Sequence, residues 1–552
     1  MANPLEARRE QMFPKLTPDQ VRRLGAYGKR VRVVAGEVLA EPGDRHGRLL
    51  VVLSGSIEIV LPGMAGETLV TVHTAGDFAG EMSALRGAGG AVRVRVREDG
   101  EVIAIEHDEL RRLVQADAEL SELFMRAFIL RRMGLIASQQ GDVVLIGSSH
   151  SAATLRLRQF LGRNGFPYVS IDVDRDPDVA ALLERFHIGV EDIPVVVCRG
   201  EHVLKNPSNA ALAECLRMNP EIDDATVRDL VVIGAGPAGL AAAVYGASEG
   251  LDVLVLETTA PGGQAGTSSK IENYLGFPTG ISGMALAGRA LVQAQKFGAD
   301  VSVASTVVRL LCHRRPYRIE LANGRVVHAR TIVVATGAEY RRIDIENLSR
   351  FVGTGVYYAA THLEAQLCRD EEVIVVGGGN SAGQAAVFLA GACRHVHLLV
   401  RSSGLAATMS RYLIRRIEES SNITLRPLTE ITAMAGNGQL EQVTWRSSAS
   451  GEAEVRDIGQ VFLMTGAVPN TRWLEGWAAL DEKGFVRTGL DIRAEDLAAS
   501  NWPFARPPHL LETTRPGIFA VGDVRSGSVK RVAAAVGEGS ASVQFVHRSL
   551  QE

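Results

Sequence analysis

The 552-residue chain has no C-x-x-C pair. Its five cysteines are Cys198, Cys215, Cys312, Cys368 and Cys393. That spacing excludes a local dithiol redox centre, and no metal-ligand cluster appears. No apolar run is long enough to span a bilayer. The opening MANPLEARREQMF has no apolar signal core, so a cytoplasmic protein with no membrane partner is expected. The net charge of −4 gives no general attraction to polyanions, and no nucleic-acid partner is expected. Composition is otherwise that of a globular protein, 46% hydrophobic and 22% charged. The length exceeds what one core organises, which predicts three or four domains.

Against these absences stand two glycine-rich turns. The first is Gly234-Ala235-Gly236-Pro237-Ala238-Gly239, after the apolar run Asp229–Ile233. The second is Gly377-Gly378-Gly379-Asn380-Ser381-Ala382, after Val373–Val376. Each reads as strand, tight turn and helix start, the arrangement that seats a dinucleotide pyrophosphate on a helix N-terminus. Gly234 permits the bend, Gly236 admits the pyrophosphate, and Gly239 allows close helix–strand packing. Glu257, at the end of the next strand, is placed to accept from an adenosine ribose hydroxyl. In the second turn Gly377 and Gly379 fill the first two glycine places and Ala382 the third. The strand after it ends in Arg401-Ser402 with no carboxylate, which favours NADPH, with NADH as the alternative. Arg411 and Arg415 are candidates to assist from the next helix, whereas Arg416 reads as a solvated helix face.

Further motifs carry a resemblance. Pro261-Gly262-Gly263-Gln264, Ile271–Pro278, Thr331–Gly337 and Gly517–Asp523 occur in this order. From about residue 228 to the end, the chain resembles low-molecular-weight thioredoxin reductase. The resemblance implies FAD on the first turn, with Gly263, Gln264 and Asn273 lining the isoalloxazine. Ala335, Thr336 and Gly337 would lie beside the flavin, Gly522 and Asp523 at the ribityl chain, and Arg531, Val532 and Ala533 over the pyrimidine edge. NADPH would meet Gly377, Gly379, Asn380, Ser381, Ala382, Arg401, Ser402, Arg411 and Gly466. The resemblance also implies a homodimer.

The family places C-A-T-C-D before the second turn. Here that stretch reads Ala359-Ala360-Thr361-His362-Leu363-Glu364. Alanine and histidine cannot form a disulfide, so the ordinary disulfide relay is excluded. His362 and Glu364 become candidate proton-handling catalytic groups, or interface residues that merely pack. Tyr357 and Tyr358 are candidates to stack on the flavin.

Two modules precede the flavin segment. FPKLTPDQ, LSGSIEI and GDFAGEMSAL resemble the cyclic-nucleotide-binding fold, with Gly80 and Glu81 at the implied phosphate–ribose pocket. The arginine that would pair with the phosphate falls at Gly90 or Ala91, with Arg93 off register. A barrel kept for docking or dimerisation is the other reading. Residues 142–218 resemble a thioredoxin or glutaredoxin domain, with Ile193-Pro194 at its cis-proline corner. Ser151-Ala152-Ala153-Thr154 stands where the redox pair would open the first helix.

The fold expected is multidomain. An N-terminal β-barrel with helices (1–138) precedes an α/β thioredoxin-like domain (141–218). Two Rossmann-like α/β domains follow, a split FAD domain (228–340 and 466–552) and an inserted NAD(P)H domain (341–465). The function expected is an FAD-dependent NAD(P)H oxidoreductase whose acceptor is a partner redox protein or a small molecule. The alternatives are an NADPH or redox sensor with little turnover, and a thioredoxin-disulfide reductase using an external cysteine.

Overall fold

A computed structural model describes residues 9–80 apart from 43, 45–46 and 64–65, then 92–137, 143–148, 151–174, 189, 192–198, and 202–552 apart from 269, 313 and 342. In the N-terminal unit a short helix, Arg9–Met12, precedes the helix Pro18–Leu24, which Thr17 and Gln20 close as a capping box with proline in the first turn. Six strands follow. Lys29–Val33, Arg93–Ile105, Leu49–Gly63 and Gly66–Thr74 pair in that order, with Val38–Ala40 on the second and Phe78–Ala79 on the third. No pairing among the described strands closes this sheet into a barrel. Alternation divides its side chains: Leu49, Val51, Ile103 and Ile105 meet the helices, while Leu50, Val52, Ile57 and Ile59 fill the opposite core.

The helical stretch after this sheet is two helices, His107–Ala116 and Ala118–Ala137, rather than one. Asp117 is the reason. Its backbone is extended, its carboxylate accepts from Leu120 N, and it pairs with Arg23.

The second unit is a four-stranded sheet in the order His202–Lys205, Val195–Cys198, Val143–Gly147, Val169–Asp172. The helix Ala152–Arg163 packs on it, and the Ile193–Pro194 peptide is cis. The helix expected over 177–186 lies outside the described residues.

The third unit holds the first glycine turn. Its seven strands include Val227–Ile233 at the centre, parallel to Val253–Leu256 on one side and Val326–Val334 on the other. Ile518–Ala520 joins from the far end of the chain, parallel to Val326–Val334. The fourth unit is an all-parallel sheet ordered Val356–Tyr357, Val461–Leu463, Glu372–Val376, His395–Leu399, Ile423–Arg426. Its apolar runs are buried on both faces, as a covered parallel sheet requires. Two short antiparallel strands, Ala338–Tyr340 and Ala467–Pro469, carry the chain out of the third unit and back.

Candidate functional site

At the first turn Gly234 has φ +104°, and a Cβ there would stand 2.4 Å from Ala335 O. Gly239 approaches still closer, since its Cβ would meet Gly234 O at 1.9 Å. Gly236 differs: the nearest atom to its Cβ would be Gly263 Cα at 4.0 Å, which leaves a space beside the backbone. The helix Pro237–Ser248 starts there with no side-chain cap, so its first N–H groups face that space unpaired. Ala238 is buried within this turn. A pyrophosphate fits such a cradle in both shape and charge.

Glu257 organises the neighbouring loop. Its carboxylate accepts from Ala235 N at 2.7 Å, Thr259 N at 2.8 Å and Ala260 N at 3.2 Å. A carboxylate has about four acceptor positions, so a ribose hydroxyl can still be bound. Gln264 donates to Ala338 O, at the start of the strand leaving the unit. Asn273 is exposed.

Residues Ala335–Gly337 are clamped from the re-entry segment. Asn470 Nδ2 donates to Thr336 O at 3.0 Å, Asn470 N to Gly337 O at 3.1 Å, and Thr336 Oγ1 to Asn470 O at 3.0 Å. Gly522, at φ +72°, donates its N–H to Glu538 at 2.7 Å, and Glu538 also holds Arg525. Asp523 beside it is mostly buried, and burial holds its carboxyl above the usual range. Among the described contacts no protein donor reaches that carboxylate. A polyhydroxyl chain would supply the missing donors. Arg531 precedes the helix Val532–Gln551, whose first turn, including Ala533, also lacks a side-chain cap.

The second turn repeats the pattern. Gly377 has φ +143°, and its Cβ would stand 2.3 Å from Met464 O. Gly379, open on its Cβ side, caps the helix Asn380–Ala390 without a side-chain bond. Ala382 is fully buried at the third glycine place. Asn380 accepts from Ser410 N at 2.7 Å, which ties the turn to the helix Arg411–Glu419. Ser402 Oγ donates to Gly404 O, and Thr408 Oγ1 to Gly378 O, both at 2.7 Å. Arg401, Arg411 and Arg415 are exposed around this loop. Gly466 accepts from Arg341 N at 2.6 Å in the crossing strands. Tyr340, on the outgoing strand, lies against Ser381 with its hydroxyl held above its ordinary pKa by burial.

Arg416 is exposed, as a solvated helix face implies, and it also carries a contact between units. Its guanidinium forms a two-pronged pair with Glu272 of the third unit, at 2.5 and 3.2 Å. Tyr357 does not face a flavin. It is 7% exposed and packs on Phe462 at 5.3 Å within the fourth unit's core.

The segment that would carry a disulfide forms a helix start. Ala359 and Ala360 precede Thr361, which caps the helix His362–Leu367. Glu364 is fully buried as the reciprocal member of that capping box. It accepts from Thr361 N at 2.9 Å, from the Thr361 hydroxyl, and from Gln159 Nε2 at 2.8 Å. His362 is exposed, its ring edge-on to Phe388 at 5.2 Å. The two candidate catalytic groups therefore point into different environments.

Cys198, Cys312, Cys368 and Cys393 are buried, Cys215 is half-buried, and all five are free thiols. Burial pushes the Cys312 and Cys368 thiols far up and Cys393 up to about 11.

In the N-terminal unit Gly80 has φ +89°, and a Cβ would clash with Arg48 O at 2.0 Å. Glu81, Arg86 and Gly90 lie outside the described residues. Arg93 is occupied by Glu41 and Glu67.

The helix Ala152–Arg163 opens on Ser151, whose Oγ accepts from Thr154 N at 3.4 Å. It docks on both dinucleotide units. Leu155 enters the fourth unit's core, Gln159 holds Glu364, Arg163 Nη2 donates to Gly263 O at 2.9 Å, and Asn164 Nδ2 to Thr259 O at 3.1 Å. Sequence reasoning missed Gln159, Arg163, Asn470 and Glu538. Only Asn470 carried a local signal, a polar residue directly after Ala-Val-Pro where the chain re-enters the third unit.

Comparison with known proteins places three family models on the chain. A pyridine nucleotide-disulphide oxidoreductase model matches residues 228–539, more than half of the sequence. A cyclic nucleotide-binding domain model matches 30–117, and a glutaredoxin model 154–203. A thioredoxin reductase of Mycolicibacterium smegmatis is 31% identical over 59% of this chain and 98% of its own length. The F component of the Escherichia coli alkyl hydroperoxide reductase is 30% identical over 59% of this chain and 58% of its own. The structure of Lactococcus lactis thioredoxin reductase in its FR conformation superposes with a TM-score of 0.52 at 26% identity. It covers 59% of this chain and 99% of that one. Among the described residues no helix is long and apolar enough to cross a membrane.

Proposed function

The chain belongs to the pyridine nucleotide-disulphide oxidoreductase family, and from that premise we propose that it passes electrons from NADPH through FAD to an acceptor other than a disulfide of its own. FAD bound at the first turn supplies the hydride-accepting chemistry. The protein's part is binding and orientation. The uncapped N–H groups after Gly236 hold the pyrophosphate, Glu257 a ribose hydroxyl, and Asp523 the ribityl chain, with Gln264, Asn273 and Arg531–Ala533 around the ring. The helix after Gly379 receives the pyrophosphate of NADPH. Arg401, Ser402 and Arg411 surround the position of its 2′-phosphate, a task suited to guanidinium forks. NADH fits the same turn without engaging them.

One observation carries the reading. Ala359 and His362 stand where the family's disulfide belongs, and no cysteine of the chain offers a thiolate in its place. Thiol exchange needs a thiolate, and burial pushes the Cys312, Cys368 and Cys393 thiols the wrong way. The acceptor is accordingly a partner redox protein or a small molecule, and the enzyme a homodimer. The test is anaerobic mixing with NADPH. Rapid bleaching of the flavin in a variant with all five cysteines replaced by serine or alanine supports the reading. Bleaching without any disulfide reductase activity in the parent protein completes it. A flavin that neither NADPH nor NADH reduces refutes it.

One feature favours a sensor as the second reading. The helix Ala152–Arg163 bonds to both dinucleotide units and so opposes their relative movement. A protein held in this way reports cofactor binding and turns over slowly. Acceleration of flavin reduction when Leu155 and Gln159 are both replaced by alanine would favour it.

A further inference from the structure

We propose that Arg163, from the glutaredoxin-like unit, is a ligand of the FAD pyrophosphate, so that a neighbouring domain completes the flavin site. The inference rests on FAD occupying the first turn.

The placement comes from geometry. Arg163 ends the helix Ala152–Arg163, and its Nη2 donates to Gly263 O at 2.9 Å. Gly263 lies directly across the cradle from Gly236: a Cβ on Gly263 would stand 3.1 Å from Gly236 Cα. Asn164, next in the chain, donates to Thr259 O, and Thr259 N in turn bonds to Glu257. The guanidinium is thus pinned between the pyrophosphate-facing glycines and the ribose-facing carboxylate.

One bond to a carbonyl uses little of a guanidinium, which has five N–H donors. Arg163 Nε is buried and has no hydrogen-bond partner. No carboxylate forms an ion pair with Arg163 among the described residues, although Glu257 and Glu364 lie within electrostatic reach. Burial disfavours its charge. A half-buried cation whose Nε is buried and idle is costly unless an anion completes it. The pyrophosphate is the anion this cradle is shaped to hold, and guanidinium pairs with phosphate through two parallel bonds. The glutaredoxin-like unit therefore has a use that needs no thiol.

The test strips the flavin from the full-length protein and titrates FAD back by fluorescence quenching. Four proteins are compared: the parent, Arg163→Gln, Arg163→Lys and Gln159→Ala. Arg163→Gln should weaken FAD binding by tenfold or more, on the order of one charge-assisted hydrogen bond. Arg163→Lys should recover part of that loss. Gln159→Ala controls for docking alone and should leave FAD binding within about twofold, given that its described hydrogen bond is to Glu364 of the fourth unit. Equal FAD affinity in parent and Arg163→Gln overturns the inference, as does a loss in Gln159→Ala matching that in Arg163→Gln. A parent protein that binds no FAD fails the underlying reading instead, which is a separate result.

Discussion

Glu364 provides the sharpest test of whether the segment that lost its disulfide gained a proton-handling role. The carboxylate is 0% exposed and accepts from Thr361 N, the Thr361 hydroxyl and Gln159 Nε2. Glu364→Ala removes all three acceptor contacts. It strands two buried N–H donors at about 1–3 kcal/mol each and loses a cap of about 1 kcal/mol. These groups are coupled, so a total of about 3–4 kcal/mol is expected rather than the full sum. Glu364→Gln keeps shape and one acceptor oxygen, and should cost about 1–2 kcal/mol. Hydrogen exchange over 361–368 reads the difference locally, which matters because a multidomain chain has no single unfolding free energy. Protection there should fall about tenfold in Glu364→Gln and more than a hundredfold in Glu364→Ala. Flavin reduction by NADPH in Glu364→Gln should stay within about threefold of the parent, since a general acid or base contributes 10²–10⁴-fold and a cap contributes nothing to chemistry. A hundredfold slower reduction in Glu364→Gln with protection unchanged would refute the structural assignment and restore Glu364 as a catalytic group.

His73 predicts an acid-sensitive N-terminal unit. It is 3% exposed, and burial, reinforced by Arg131 and opposed by Asp77, lowers its pKa to about 4. The folded state keeps the ring neutral, while the unfolded chain takes up a proton below about 6.5. Stability is therefore fully present above about 6.5 and is lost as pH falls toward about 4, reaching ~2 kcal/mol by pH 5. Exchange protection of the strand Gly66–Thr74 should follow that curve, and His73→Gln should flatten it; an unchanged slope in the variant removes His73 as the cause. At the second turn, Arg401→Ala with Arg411→Ala should raise KM for NADPH about tenfold and leave KM for NADH within about twofold. An equal rise for both cofactors would show that these arginines do not read the 2′-phosphate. Gly234→Ala should abolish flavin retention, because its Cβ meets backbone 2.4 Å away at φ +104°. Normal flavin content would overturn that steric argument.

How much of this was legible in the chain depends on the range of the interaction. The two glycine turns announce themselves because their causes are local: a positive φ, a carbonyl too close for a Cβ, and an apolar strand before them. Thr17 with Gln20 and Thr361 with Glu364 are equally local capping pairs, three residues apart, which the reading of Glu364 as a proton-handling group passed over. The break at Asp117 between two helices is not written in the periodicity, because it comes from one side chain bonding the backbone ahead of it. Arg416 is solvated as expected, but its pairing with Glu272 went unread because the two lie 144 residues apart. Tyr357 was misjudged for want of its neighbour Phe462. Gln159 and Glu364 are 205 residues apart, and Arg163 and Gly263 are 100 apart. No window of sequence contains such pairs.

The helix that opens at Ser151–Thr154 reaches the segment after Ala359–His362. Ser151–Thr154 opens the helix that stands where the glutaredoxin-like unit would carry its thiols, and Ala359–His362 stands where the reductase would carry its own. The helix that begins at the first site closes over the second: Leu155 enters the core behind Ala360, and Gln159 satisfies the carboxylate three residues beyond Thr361. A cysteine pair working at Ala359 and His362 would need a path for a partner disulfide, and this docked helix bonds to the same segment. The docked helix and an exchangeable disulfide compete for this segment, since Glu364 is buried and bonded to Gln159 whereas an exchanging disulfide needs room for its partner. Reinstating cysteines at positions 359 and 362 should therefore yield little disulfide reductase activity while the helix remains bound. Activity should rise when Leu155→Ala and Gln159→Ala are added, as measured with an exposed aromatic disulfide as acceptor. Full activity from the two cysteines alone would show that the helix does not guard the segment.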